Sequence, residues 1–287
     1  MAANEESTIR DISDTALWVA VYRARESERP DAHFHDPFAR RLAGARGERI
    51  AASQPFFNRA QWSFVARTFL FDRFVSDEVA RGADMVVNLA AGLDARPYRM
   101  ETLPPSLQWV EVDLPAMLAH KEAILRDEKP HCALERVALD LKDIAGRRAL
   151  FERLAARAKR AIVLSEGLLI YFEPEDVVAL GKELASKATF ERWIVDIGSP
   201  ALKRLLVRKV GKEIGAAGAP FRFAPDDGPE FFRRCGWKAA EVQSILGTAA
   251  KLKRLPPLFR LLAALAGPNP AFRANRPWSA VCSLEKA

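Results

Sequence analysis

The chain has 287 residues, of which 49% are hydrophobic and 28% charged, and its formal net charge is +7 at pH 7. This balance is typical of an ordinary enzyme with a large core, and the length allows one or two domains. The start of the chain, MAANEESTIRD, lacks a positive stretch followed by an apolar one, which argues against secretion. Cys132, Cys235 and Cys282 have neither disulfide nor metal-ligand spacing. We therefore expect a cytoplasmic protein without a metal.

Helical patterns dominate the chain before the first strand, including a candidate helix from about Ala60 to Arg81. We predict that residues 1–82 form a helical cap over a cleft and that residues 83–287 form the ligand-binding core. Arg67 lies in the cap, so closure would bring a cation to the cleft. His33 and His35 also lie in the cap, where we expect local hydrogen bonding or solvent exposure.

The first strand candidate runs into a small-residue turn in MVVNLAAGLDARPYR at 85–99. A second strand, in WVEVDLP at 109–115, ends on Asp113. In an open parallel sheet, ligands bind beyond the carboxyl ends of the strands, where an acidic side chain accepts both hydroxyls of a ribose. The pattern therefore predicts a nucleoside cofactor, although a buried strand with a tight turn is the plain structural alternative.

The turn lacks the three spaced glycines that a dinucleotide needs. Only Gly92 is a glycine, whereas Ala90, Ala91, Leu93 and Asp94 carry side chains. Asp94 would also bring negative charge toward two phosphates. A cofactor without phosphates fits better, and S-adenosylmethionine is one. It needs a carboxylate for its ribose, acidic or carbonyl groups for its cationic parts and one cation for its carboxylate.

Two further strand candidates end in chemically informative residues. CALERVALDL at 132–141 ends in Asp140 and Leu141, which suit an adenine amine and an adenine ring face. RAIVLSEGLLIYF at 160–172 is an apolar run interrupted by Glu166. A charge at the end of a buried strand is costly without a partner. We expect Glu166 to face a ligand, with an ion pair to a nearby arginine as the alternative.

Helices are predicted at 114–128, 143–158 and 174–188, alternating with strands as in a parallel sheet with right-handed crossovers. A helical insertion follows at about 199–235. The last two strand candidates, at 236–245 and 276–286, would form an antiparallel pair that closes a seven-stranded sheet.

The segment ALKRLLVRKVGK at 201–212 concentrates positive charge and raises the alternative of nucleic-acid binding. Its leucines recur with helical period while cations occupy the other positions, as in a solvated amphipathic helix. No aromatic residues interleave with the basic face. We therefore expect a solvated face, or a surface that steers an anionic substrate, and neither nucleic acid nor membrane as a partner.

The motifs NLAAGLDARPYR, EVDLP, ALDL and SEGLLIYF, in this order, resemble the leucine carboxyl methyltransferase-like family of S-adenosylmethionine-dependent methyltransferases. That family includes bacterial O-methyltransferases of polyketide and related secondary metabolism. The likeness extends upstream into residues 22–44 and 65–72. It implies the α/β class I methyltransferase fold, a Rossmann-like seven-stranded sheet, with S-adenosyl-L-methionine as cofactor.

The resemblance also assigns roles to individual residues. Arg67 would bind the methionyl carboxylate, Gly92 would allow close approach of the cofactor, and Asp113 would bind the ribose. The remaining cofactor residues implied by the family pattern are Ala90, Asp94, Leu114, Asp140, Leu141 and Glu166. Of these, Asp140 and Leu141 would contact the adenine, and Glu166 would lie beside the methionine moiety.

Tyr171 would line the methyl-acceptor pocket, with Arg67 near the acceptor's negative charge; without the resemblance, Tyr171 would be a packing residue. One departure is visible, since Ala90 stands where the family usually has glycine. None of the histidines lies in a strand-end motif. This favours a carboxylate acceptor, which needs no proton removed, over a hydroxyl, which calls for a base.

The leading hypothesis is therefore an O-methyltransferase that acts on a carboxylate or hydroxyl of a small molecule. A protein C-terminal carboxyl methyltransferase with the same cofactor site is the second hypothesis. The third is a nucleotide-binding module that has lost catalysis.

Overall fold

The fold was obtained as a computed structural model that describes residues 13–216, 218–256, 259–260 and 273–287. The strands are β1 (Met85–Leu89), β2 (Gln108–Asp113), β3 (Ala133–Ala138), β4 (Ala161–Ser165), β5 (Phe190–Gly198), β6 (Trp237–Ser244) and β7 (Ser279–Lys286). The helices are α1 (Asp14–Ser27), α2 (Ala39–Ala52), α3 (Pro55–Arg59), α4 (Gln61–Ala80), α5 (Arg96–Arg99), α6 (Pro115–Leu125), α7 (Ile144–Arg157), α8 (Pro174–Ala185), α9 (Pro200–Ala216) and α10 (Ile245–Lys251). Two 3₁₀ segments span Leu169–Tyr171 and Gly228–Cys235.

The seven strands form one sheet in the order β3-β2-β1-β4-β5-β7-β6. The first five strands are parallel, and β7 pairs antiparallel with both β5 and β6. Val87 of β1 lies opposite Val110 of β2 on one side and Val163 of β4 on the other. The strand order reverses at β1, which opens a crevice at the carboxyl ends of β1 and β4. The predicted seven-stranded sheet with a terminal antiparallel pair is confirmed.

Both faces of the sheet are covered by apolar packing. Helices α7 and α8 and the 228–235 segment share a core with one face, where Trp193 and Trp237 are fully buried. Helices α4 and α10 pack on the other face, against residues that include Trp109. A third apolar cluster joins α1, α2, α6 and α9 beside the β1 turn. The sheet is therefore the middle layer of a three-layer α/β arrangement.

The predicted helices are confirmed with small changes at their ends, whereas the run at 160–172 does not form one continuous strand. Strand β4 ends at Ser165, and the chain then turns at Gly167, where φ is +67°. Glycine adopts this left-handed conformation at little cost. The turn leads into the 3₁₀ segment that carries Tyr171.

The first 12 residues of the predicted cap lie outside the described residues. Helix α4 packs on the sheet with the core strands, while α1 and α2 pack on each other. The boundary at residue 82 stays a prediction.

Helix α9 is amphipathic, as the sequence predicts. Val210 and Ile214 are buried, and the exposed cations are Arg204, Arg208, Lys209 and Lys212. Across the described parts of the chain, no helix has the length and apolar character that a membrane span requires.

Gly181 of α8 packs closely against the 228–235 segment. A Cβ there would lie 2.4 Å from Cys235 Sγ and 3.1 Å from the Trp193 ring. Alanine normally stabilises a helix interior relative to glycine, but here we expect Gly181→Ala to lower the free energy of unfolding by about 1–3 kcal/mol. Gly215→Ala in α9 is the control, because a Cβ there meets nothing within 4 Å. Urea denaturation measures the free energy of unfolding of both variants. If Gly181→Ala were more stable than the wild type, the close contact described at Gly181 would be wrong.

Candidate active site

The sequence-predicted site residues follow the carboxyl ends of adjacent parallel strands. Ala90, Gly92 and Asp94 follow β1, Asp113 ends β2 and Leu114 follows it, Asp140 and Leu141 follow β3, and Glu166 follows β4. These ends meet at one edge of the sheet because the strands are parallel neighbours. The edge thus gathers acidic side chains and one small-residue turn in a crevice.

The β1 turn and Asp113 are bonded to each other. Gly92 N donates to Asp113 Oδ2 at 2.6 Å, and Leu114 N donates to Asp113 Oδ1 at 2.7 Å. Burial raises the pKa of Asp113, although these two backbone hydrogen bonds and Lys121 oppose the rise. The two bonds fix the carboxylate, and each oxygen keeps a lone pair that can accept a ligand hydroxyl.

Helix α1 lies directly against this turn. A Cβ on Gly92 would lie 3.4 Å from the Ala16 Cβ, and Arg23 Nη2 donates to the Leu93 carbonyl at 2.6 Å. Gly92 has φ +49° and Ala90 has φ +52°, so the turn places a non-glycine residue in the left-handed region. Ala90 therefore adds backbone strain as well as a methyl group.

Asp140 and Leu141 divide between solvent and core. Asp140 is exposed, and its Oδ1 accepts from Lys142 N at 2.9 Å. Leu141 is buried and packs in the same cluster as Ala90. Strand β3 ends at Ala138, so the pair lies just beyond the strand rather than at its last residues, with a carboxylate next to an apolar side chain.

Arg67 reaches from α4 to the ends of β4 and β5. Its Nε donates to Glu166 Oε1 at 3.1 Å and its Nη1 to Asp196 Oδ2 at 3.3 Å, while Gly167 N donates to Asp196 Oδ1 at 2.6 Å. Burial lowers the pKa of Arg67, but the carboxylates of Asp196 and Glu166 raise it by more than this. The pKa of Arg67 is therefore above its ordinary value. The guanidinium is thus charged, and the ion-pair alternative for Glu166 is confirmed.

Arg96 lies at the centre of a second set of ion pairs, and its side chain is 2% exposed. Its nitrogens donate to Asp72 at 2.7 Å, to Asp94 at 2.8 Å and to Glu166 at 2.9 Å. Asn88 Nδ2 also donates to Asp94, at 2.8 Å. Burial raises the pKa of Asp94, but Arg96 and other nearby cations bring it down to about 2. Asp94 is therefore an anion whose carboxylate accepts hydrogen bonds from other groups of the protein.

Tyr171 combines packing with a polar contact. Its hydroxyl bonds to the Thr15 side chain on α1, and its ring centroid lies 5.9 Å from that of Phe221. Burial raises the pKa of Tyr171, while the Thr15 bond and Arg67 oppose the rise. The phenol is therefore neutral at pH 7 and lies within electrostatic reach of Arg67.

Three charged residues of this network were missed in the sequence analysis. Asp196 interrupts the apolar run WIVDIG just as Glu166 interrupts its own strand, so the same signal could have identified it. Arg96 lies inside the quoted motif LDARPYR and Asp72 inside VARTFLFD, but sequence gives no sign that the two side chains meet.

All four histidines are exposed on the surface. A ring nitrogen of His33 donates to the Leu252 carbonyl at 2.8 Å, and one of His120 donates to the Leu42 carbonyl at 3.2 Å. The expectation for His33 and His35 is confirmed. Among the residues that the structure describes, no cluster of three or more His, Cys, Asp or Glu side chains is arranged to hold a metal ion.

Comparison with known proteins finds similarity over most of the chain. A family model described as leucine carboxyl methyltransferase matches residues 16–185. A provisionally named S-adenosyl-L-methionine-dependent methyltransferase of Streptomyces coelicolor is 34% identical over 254 residues, which cover 79% of this chain and 83% of that protein. A provisionally named counterpart of Streptomyces avermitilis is 35% identical over 246 residues, covering 78% and 82%.

Solved structures share the fold. A DUF574 family protein from Streptomyces avermitilis has a TM-score of 0.60 at 16% identity, covering 93% of this chain and 97% of that one. A provisionally named methyltransferase from Thermobifida fusca has a TM-score of 0.56 at 16% identity, covering 98% and 96%. The expected Rossmann-like α/β fold is confirmed.

The strain at Ala90 is open to measurement. A non-glycine residue in the left-handed region costs about 1–2 kcal/mol, which glycine would remove. Glycine also gives the unfolded chain more conformational entropy, and this cancels about 0.5–1 kcal/mol of the gain. We expect Ala90→Gly to raise the free energy of unfolding by about 0.5–1 kcal/mol. Ala91→Gly is the control, because Ala91 is buried without a positive φ, and it should be destabilising. If chemical denaturation showed Ala90→Gly to be less stable than the wild type, the packing of the Ala90 methyl group would outweigh the backbone strain.

Proposed function

The chain belongs to the leucine carboxyl methyltransferase family and is an S-adenosylmethionine-dependent class I methyltransferase, and we propose that it methylates an oxygen of a small molecule, preferably a carboxylate. The observation that carries this proposal is Arg67, a cation whose side chain is 14% exposed and lies beside Tyr171 at the strand-end crevice. Among the described residues, its Nη2 group has no hydrogen-bond partner. A carboxylate is the ligand group that best matches such a guanidinium.

The residues at the crevice fit the cofactor. Gly92 leaves room for close approach, and Asp113 is a fixed carboxylate with lone pairs for two ribose hydroxyls. We propose that Asp140 and Leu141 receive the adenine, that Glu166 and Asp94 supply negative potential near the methionine moiety, and that Ala90 and Leu114 line the crevice. Arg67 would bind the methionyl carboxylate and also lie near the negative charge of the acceptor. When bound, the cofactor supplies an electrophilic methyl group on a sulfonium.

The protein's contribution to the reaction is positioning. Arg67 and Tyr171 hold the acceptor oxygen in line with the methyl group. The entropic cost of bringing the two reactants together is then met on binding and not in the chemical step. A carboxylate is ionised at pH 7, so this site needs no base, which agrees with the surface positions of the histidines. Partial removal of the carboxylate from water makes it more reactive.

A hydroxyl acceptor is the second candidate, and Asp196 is the observation that favours it. Burial raises the pKa of this carboxyl although Arg67 and the Gly167 amide oppose the rise. A carboxylate with a raised pKa is a better proton acceptor, as a hydroxyl substrate would require.

Labelled cofactor distinguishes the acceptors. The enzyme is incubated with methyl-labelled S-adenosylmethionine and with separate low-molecular-mass and protein fractions of a cell extract. We expect label in the small molecules, released as volatile methanol by mild base because methyl esters hydrolyse. Base-stable label would indicate a hydroxyl acceptor. Label in the protein fraction would support the protein C-terminal carboxyl alternative and overturn the small-molecule assignment.

Asp113→Ala tests the ribose assignment. Loss of charge-assisted bonds to two hydroxyls should weaken S-adenosylmethionine binding by about 1–3 kcal/mol. Calorimetric titration measures the change. Asp127→Ala is the matched control, since it removes one exposed carboxylate after α6 and should bind as the wild type does. Equal affinities for the two variants would show that Asp113 does not hold the ribose.

Tyr171→Phe tests the acceptor side. We expect nearly unchanged affinity for S-adenosylmethionine and a fall in turnover of about tenfold, which corresponds to one hydrogen bond to the acceptor. Thr15→Val is the control, because it removes the hydroxyl partner of Tyr171 but keeps the phenol. If both variants lose turnover equally, the Tyr171 hydroxyl acts only through α1.

A further inference from the structure

Helix α1 forms a wall of the crevice. Ala16 approaches Gly92, and Thr15 bonds to Tyr171. Arg23 bonds to the carbonyl of Leu93. These contacts place α1 next to both the cofactor turn and the proposed acceptor position. Trp18 and Tyr22 of α1 share a buried cluster with Leu93 of that turn, and Tyr171 packs against the same cluster.

Two buried polar atoms on α1 lack hydrogen-bond partners. Trp18 is 3% exposed and Tyr22 is 1% exposed, and within the described ranges neither Trp18 Nε1 nor Tyr22 Oη has a partner. The residues are four apart, so they lie on one face of the helix. A buried donor without a partner is costly, and native proteins retain very few of them.

The two donors belong to an aromatic cluster that reaches Arg67. Trp18 stacks on Phe57 with ring centroids 5.2 Å apart, and Tyr22 stacks on Phe64 with centroids 5.1 Å apart. The Arg67 guanidinium lies 5.5 Å from the Phe64 ring. A buried water typically makes about three hydrogen bonds, and a wall of rings offers few partners for it. The surroundings suit an apolar ligand that carries its own acceptor atoms.

We propose that Trp18 and Tyr22 recognise the methyl acceptor by donating hydrogen bonds to a carbonyl or ether oxygen on an apolar, ring-bearing skeleton whose carboxylate binds Arg67. This inference rests on the proposed function and names its substrate class. The indole is a donor only, and burial raises the pKa of Tyr22 to about 12, so the phenol keeps its proton. The ligand therefore has to supply the accepting oxygen.

Matched probes test the proposal on the full chain saturated with S-adenosylhomocysteine. The first is 9-oxofluorene-2-carboxylate, which has rings, a ketone and a carboxylate, and the second is fluorene-2-carboxylate, which lacks the ketone. We expect the wild type to bind the ketone about fivefold more tightly, as one hydrogen bond gives. Tyr22→Phe and Trp18→Phe should each reduce that preference while the affinity for S-adenosylhomocysteine is unchanged.

A second measurement needs no probe. Tyr22→Phe deletes a hydroxyl without a partner, so the ligand-free variant should melt at the wild-type temperature or higher. Tyr98→Phe is the matched control, because the Tyr98 hydroxyl accepts from Arg136 Nη2 at 2.6 Å. This control should melt lower and keep the wild-type preference for the ketone.

The outcomes separate the two proposals. A lower melting temperature for Tyr22→Phe would show that its hydroxyl has a structural partner and would overturn the inference. Failure of both probes to bind, or equal binding of the two, would also overturn it if S-adenosylhomocysteine still binds. Failure of S-adenosylhomocysteine itself to bind would instead contradict the cofactor assignment of the proposed function.

Discussion

The Glu166 carboxylate is shared by two arginines, and this interaction organises the site. Arg67 approaches it from α4 and Arg96 from the start of α5, so three separate segments meet at the end of β4. Removing one partner from a buried ion pair leaves an uncompensated charge, which is far costlier than an exposed pair is worth. The network therefore fixes α4 relative to the cofactor turn and makes Arg67 part of the crevice.

The same network divides the acidic residues between structure and ligand. Asp94 is used by Arg96 and Asn88, and Asp72 is used by Arg96 and Arg99. Within the described residues, the Asp113 carboxylate accepts hydrogen bonds from the backbone amides of Gly92 and Leu114, so it keeps lone pairs for a ligand. Similar carboxylates thus have different roles because of their neighbours, and sequence position alone does not distinguish them.

Local patterns predicted the sheet well because buried parallel strands are continuous apolar runs and their carboxyl ends share one edge. That reasoning was enough to place Gly92 and Asp113 at the same edge of the sheet, where the structure shows them hydrogen-bonded. It could not pair Arg67 with Glu166, which are 99 residues apart in the chain. Asp196 carries the same sequence signal as Glu166, a charge that interrupts a buried apolar run. Strand β4 ends at Ser165, although the apolar pattern resumes after Gly167, where the backbone conformation changes.

Arg67 marks a boundary between two chemical environments. Its guanidinium contacts two carboxylates and also lies against the Phe64 ring, which belongs to the aromatic cluster of α1 and α4. A carboxylate held at this boundary keeps a cationic partner while its apolar skeleton leaves water. Ionised oxygen gains reactivity as it loses hydration, but it stays bound only if a fixed charge compensates for that loss. A cation set between acids and rings meets both requirements, which explains why a partly buried arginine at this place suits the proposed reaction.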